Sequence, residues 1–172
     1  MLRLSLAIIL TACAYAVAIK PGLADHSPYP RKTIEVKTRE APGTILIDTK
    51  RFWLYYILGK GKAIRYGVAI GREGYGWTGT SRVSRKAEWP DWRPPREMLK
   101  RNPKLPKFVP GGPKNPMGAR ALYLGSSLYR IHGTNAIGTI RRAVSSGCFR
   151  LHNDDVIDLY KRARIGAKVI AF

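Results

Sequence analysis

The stretch from Arg130 to Asn153 constrains the chain most. It holds two of the three histidines, His132 and His152, and, at Cys148, the only cysteine beyond the N-terminal segment. Cys148 stands in Ser145-Ser146-Gly147-Cys148-Phe149-Arg150. A glycine just before a cysteine admits a tight, left-handed turn that presents the sulfur instead of burying it. His132 lies across a glycine- and threonine-rich bend, and closing a loop of that length costs about 2–3 kcal/mol. A free thiol at neutral pH is only a few per cent ionised, and an imidazole against it takes the proton. A cysteine or a histidine met singly is more often a core residue. Glycines beside both, and an arginine two residues after the cysteine, point instead to Cys148 as a nucleophile and His132 as its base. His152, four residues past the cysteine, is the rival base.

From Gly43 onward the pattern around this stretch is β. Thr44 to Asp48 and Phe52 to Leu58 read as strands about the turn Thr49-Lys50-Arg51. Ala63 to Ile70, the more polar Gly79 to Ala87, Ala119 to Leu124, Leu128 to His132 and Lys168 to Phe172 follow, short and punctuated by glycine. One clear helix is expected from Asn153-Asp154-Asp155, which cap and charge its start, to Arg164. Val156, Ile157, Tyr160 and Ala163 form its apolar face, and Gly166 ends it. Eight of the twelve prolines fall between Pro90 and Pro116, with Trp77, Trp89 and Trp92 crowding the start of that segment. Only Pro95 to Arg101 fits a short helix there. So long a loop suits a lid or a binding surface, and Trp89 and Trp92 are candidate substrate contacts unless they only pack the loop onto the sheet. The fold class expected is mainly β with one to two helices.

The chain has 172 residues, enough for one domain with its own core. Its start reads as a leader. Arg3 is followed by an uncharged run from Leu4 to Ile19, shorter than the roughly 20 residues that span a bilayer. Small-residue cleavage patterns end at Ala18 and Ala24, so residues 1–24 are expected to be a secretory signal peptide. Leu10-Thr11-Ala12-Cys13 suggests the alternative of lipidation at Cys13, but the apolar run continues beyond it. Residues 25–42, with His26, Pro28, Pro30, Pro42 and the strand-like run Thr33-Ile34-Glu35-Val36, read as a linker or strap. With Cys13 removed, an exported chain keeps one unpaired cysteine in an oxidising compartment. Structural cysteines pair there, which argues independently that Cys148 reacts.

His132-Gly133-Thr134 followed by Ser-x-Gly-Cys-x-Arg-Leu resembles the signature of the L,D-transpeptidase catalytic domain, the YkuD-type family of bacterial cell-wall enzymes. The resemblance extends more loosely over residues 43–172 and departs at Phe149, where the family more often has Ile or Val. It implies a β-sandwich or barrel-like sheet with the cysteine and histidine at one end. It implies also that the Gly133 carbonyl orients the imidazole and that Arg150 shapes the site or receives a substrate carboxylate, where an ordinary ion pair is the alternative. The implied donor is a peptidoglycan tetrapeptide stem, attacked at its third residue with loss of the terminal D-alanine. An amine of another stem (a 3-3 cross-link) or a lysine of a wall-anchored lipoprotein then takes the acyl group.

The residues alone support acyl transfer through a thioester. The N–H groups of Cys148 and Gly147 are candidate oxyanion donors. Ser146 is placed in the site, and Ser145 in the turn. Three histidines and one mature cysteine show no metal-ligand spacing, so neither metal nor cofactor is expected. Lys and Arg outnumber Asp and Glu by 31 to 11, a net charge of +20, which calls for anionic partners. The leader and the scattered basic residues argue against nucleic acid and for anionic surfaces of the periplasm or cell envelope. The rival readings are an L,D-carboxypeptidase or cysteine peptidase using the same pair, and a non-catalytic wall-binding protein.

Overall fold

The computed structural model describes residues 27–172; the expected signal peptide, Cys13 and His26 lie outside the described residues. Strand β1 (Lys32–Glu35) pairs antiparallel with β4 (Lys62–Gly67) at the edge of a sheet, so part of the strap expected at 25–42 is a strand. Between them β2 (Ile45–Asp48) and β3 (Trp53–Gly59) form a hairpin. Its turn is fixed by the buried Asp48, whose Oδ1 accepts the N–H groups of Lys50 at 3.1 Å and Arg51 at 2.9 Å. Alternation buries Ile45 and Ile47 on one face of β2.

The short β5 (Ile70–Gly71) leads to the long β6 (Gly79–Glu88), then α1 (Arg96–Arg101), β7 (Arg120–Leu124), β8 (Arg130–His132), β9 (Ala143–Ser145), β10 (Phe149–Arg150), α2 (Asn153–Arg162) and β11 (Lys168–Ala171). The large sheet runs β1-β4-β3-β2-β11-β6-β7-β8-β10, and β5 pairs with β9 separately. Three pairings are parallel, β2 with β11, β8 with β10, and β5 with β9. Strand β6 serves both halves: its start pairs with β11 and its end with β7, with a bulge between Val83 and Arg85. Bulges bend a strand and increase its twist. The halves share one core, in which Ile45, Leu54 and Tyr66 meet Leu122, Ile131 and Phe149.

Helix α2 lies against this core and β7 through Val156, Leu159 and Ala163. It differs from the sequence expectation at both ends. His152 is the N-cap, its Nδ1 accepting the N–H of Asp154 at 3.3 Å, because the Asn153 side chain is engaged elsewhere. The helix stops at Arg162, where Lys86 Nζ donates to the carbonyls of Tyr160 and Ala163 at 2.5 and 2.8 Å. A cation there satisfies terminal carbonyls and suits the helix dipole. Gly166, at φ +86, turns the chain into β11 instead of ending the helix. Leu159 joins the buried face, while Ile157 and Tyr160 are half-buried.

Candidate active site

His132 and Cys148 reach one cavity because β8 and β10 run parallel and side by side. Ile131 pairs with Phe149 and His132 with Arg150; alternation sends Ile131 and Phe149 into the core and His132 and Arg150 to the opposite face. Cys148 is one position before Phe149, on that same face and level with Arg130. All four of these polar residues line a cavity of about 420 Å³.

His132 is 4% exposed, and its Nδ1 lies 2.5 Å from the carbonyl oxygen of Gly133. A carbonyl only accepts, so Nδ1 carries the proton and Nε2 keeps its lone pair. Burial, with the adjacent Arg150 charge, pushes the imidazole down to about 3, against the pull of the Gly133 and Met117 backbone carbonyls. The ring is therefore neutral at neutral pH. The Cys148 thiol is half-buried, with Sγ 3.7 Å from the carbonyl of Leu128. Burial raises its pKa, opposed chiefly by Arg130 and then by Arg150. Thiol and imidazole are thus both neutral at neutral pH, so forming a thiolate here requires a proton acceptor.

The turn before the cysteine rests on its glycine and on two hydrogen bonds. Gly147 adopts φ +109, where an L side chain is strained, and a Cβ there would meet Tyr129 Cε1 at 2.5 Å. The buried Ser145 hydroxyl donates to the Cys148 carbonyl at 2.6 Å and accepts the Gly147 N–H at 3.1 Å. The second bond corrects one expectation: the Gly147 N–H is already committed, so of the two backbone donors proposed for an oxyanion only that of Cys148 is left. Asn153, which sequence reasoning treated as a helix cap, instead accepts the Ala119 N–H at 2.9 Å. Its Oδ1 is packed so closely that a Cβ on Gly133 would lie 2.2 Å from it. Asn153 therefore ties the turn after His132 to the strand beside it. Its place in the sequence gave no hint of this, because an asparagine at a helix start reads as a cap.

The proline-rich segment forms the other side of the cavity through Trp92, Pro95, Met98, Arg101 and Met117. Trp89, also expected as a contact, is not in this wall; it is 42% exposed at φ +40. Arg101 hydrogen-bonds to the Tyr75 hydroxyl and, at 3.4 Å, to Ser146 Oγ. Two guanidinium groups lie near the Tyr75 ring, Arg72 at 4.1 Å and Arg101 at 4.9 Å from its centre. This latch joins α1 to the loop that carries the cysteine. Arg150 has no carboxylate partner among the described residues, and its buried Nε is unsatisfied; the ion pair considered for it is not formed there. His152 is 5% exposed, occupied as the N-cap of α2 and outside the cavity.

Comparison with known proteins gives this geometry a context. The model of the YkuD family, described as the L,D-transpeptidase catalytic domain, matches residues 42–170. A probable L,D-transpeptidase of Escherichia coli strain K12, ErfK/SrfK, is 41% identical over 134 residues, 73% of this chain and 42% of that protein. The chain spans less than half the length of the L,D-transpeptidase relatives it matches. Among solved structures, a Brucella melitensis protein described as a probable carnitine operon oxidoreductase is 38% identical, with a TM-score of 0.56 over 90% of this chain and 96% of its own. An L,D-transpeptidase from Mycobacterium smegmatis superposes with a TM-score of 0.61 at 14% identity, over 75% of this chain and 58% of that one. The last likeness speaks for the fold alone.

Proposed function

The chain belongs to the family of L,D-transpeptidase catalytic domains, a family of transferases, and from that premise we propose that it is a peptidoglycan L,D-transpeptidase working through Cys148. The observation that carries this reading is that the Cys148 thiol lines one cavity with an imidazole whose Nδ1 is held by the Gly133 carbonyl. The carbonyl takes the orienting part that a carboxylate plays in other triads. The oxidoreductase description of the Brucella protein stays with that protein, since the family match over residues 42–170 favours acyl transfer.

In the first half-reaction the sulfur attacks the carbonyl of the third stem residue while Nε2 of His132 takes the thiol proton. The Cys148 N–H faces the developing oxyanion, and terminal D-alanine leaves with the proton from His132. In the second, an amine attacks the thioester, and the amide forms as the sulfur is released. Arg150, a half-buried cation without a carboxylate partner among the described residues, is suited to a substrate carboxylate. The acceptor is another stem or a wall-anchored lipoprotein. We further propose residues 1–24 as a signal peptide, 43–172 as the catalytic domain, and the periplasm or cell envelope as its place of work.

Incubation with purified disaccharide-tetrapeptide tests the reading through its products. Cross-linked dimer with free alanine is expected. Tripeptide with no dimer would make the enzyme a carboxypeptidase, and unchanged substrate in the presence of folded protein would favour a wall-binding protein.

A further inference from the structure

A row of side chains crosses the sheet and ends at the cysteine. Arg85 pairs with Tyr123 across β6 and β7, and Tyr123 pairs with Arg130 across β7 and β8. Continuing the β8–β10 register one position back brings Cys148 level with Arg130. The β6 bulge falls just before Arg85 and turns its guanidinium onto the Tyr123 ring, 3.6 Å from the centroid; Arg130 lies 5.1 Å from the same ring. This face is the one that carries His132, because Ala121 pairs with His132 two positions along.

A separate groove of about 280 Å³ follows the row and is lined by Arg85, Asp91, Arg93, Tyr123 and Arg130. Arg130, Trp92 and Met117 line both this groove and the Cys148 cavity, so the two meet at Arg130. Among the described residues, Arg85, Arg93 and Arg130 have no carboxylate partner, and Asp91 already accepts the Gly111 N–H at 3.0 Å. Three guanidinium groups, Arg85 and Arg130 at the Tyr123 ring and Arg93 at the Phe108 ring, against one carboxylate, Asp91, form a surface for a chain that carries carboxylates.

We infer that the Arg85–Tyr123–Arg130 track is the acceptor subsite, and that it takes a primary amine borne on a carboxylate-containing peptide. The inference rests on the acyl-transfer reading of Cys148. Once the donor fills the cavity, a second chain has to approach the thioester from a side the donor leaves open, and this groove adjoins the cavity at Trp92, Met117 and Arg130. In the step, the acceptor nitrogen bonds to the thioester carbonyl carbon and the carbon–sulfur bond breaks. The proton shed by nitrogen returns through His132 to the sulfur.

The test uses the full chain, disaccharide-tetrapeptide as donor, and two soluble acceptors, an ω-aminohexanoate and its uncharged amide. Their coupling rates are compared in the wild-type enzyme and in an Arg85→Glu, Arg93→Glu variant, with thioester formation followed by intact mass. The wild type is expected to prefer the carboxylate-bearing amine by about tenfold, and the variant to lose that preference, as expected when attractive charges at a binding rim are reversed. An equal preference in both proteins, or none in the wild type, overturns the inference. So does a variant whose thioester formation slows while the preference persists, because the track would then hold the donor. A wild-type enzyme that forms no thioester at all sinks the acyl-transfer reading, and this inference with it.

Discussion

Cys148 and His132 are held by backbone as much as by side chains. The imidazole is fixed by the Gly133 carbonyl, and the sulfur by a Gly147 turn that Ser145 ties on both sides. Burying a neutral imidazole has a thermodynamic consequence. The ordinary value of 6.5 falls to about 3 in the folded protein, so between those values the unfolded chain binds the proton and the folded one does not. Stability from this group is complete above pH 6.5 and is lost as pH falls toward 3. The slope reaches at most about 1.4 kcal/mol per pH unit. Urea midpoints measured through this window should fall more steeply for the wild type than for His132→Gln; parallel curves would contradict the buried neutral state. The left-handed turn at Gly147 was legible because a glycine directly before a cysteine, among other turn-forming residues, favours positive φ. The commitment of its N–H was not, since that depends on which way the Ser145 hydroxyl points.

At the scale of elements, the segment between Trp89 and Met117 makes half of the cavity. Its proline content marked it as a loop, and Pro95 to Arg101 as its only helix, which α1 bears out. What the sequence could not show is where the loop is tied down. Arg101 makes contacts 26 and 45 residues away in the chain, to Tyr75 and Ser146, and no local pattern announces such partners. The same holds for α2, whose ends were misplaced because Asn153 and Lys86 make contacts far along the chain. Arg101→Ala should release α1. Hydrogen bonds from a charged donor contribute about 1.5–3 kcal/mol each, so amide exchange at residues 96–101 should quicken by about tenfold or more while β7 and β8 stay protected. Unchanged exchange at 96–101 would show that the latch holds nothing.

Across the whole molecule, the short β-branched and aromatic runs made the mainly β character plain, and most strand positions follow from them. Strand order did not follow. The parallel pairings of β2 with β11 and of β8 with β10 join distant segments, and only the packed core decides between them and other orders. The charge was legible at once and has a consequence at this scale. A net +20 should hold the protein on anionic envelope material. Retention on purified sacculi should therefore weaken as salt rises from about 0.01 M to about 1 M and the screening length falls from ~30 to ~3 Å. Retention that ignores salt would assign the binding to uncharged contacts.

The central claim is that Cys148 carries the acyl group, and the intact mass of the protein during turnover tests it most directly. Wild-type enzyme mixed with disaccharide-tetrapeptide should gain the mass of the donor less one alanine, and Cys148→Ala should gain nothing. An adduct of the same mass on the Cys148→Ala protein, or alanine release by that protein at the wild-type rate, would contradict the account.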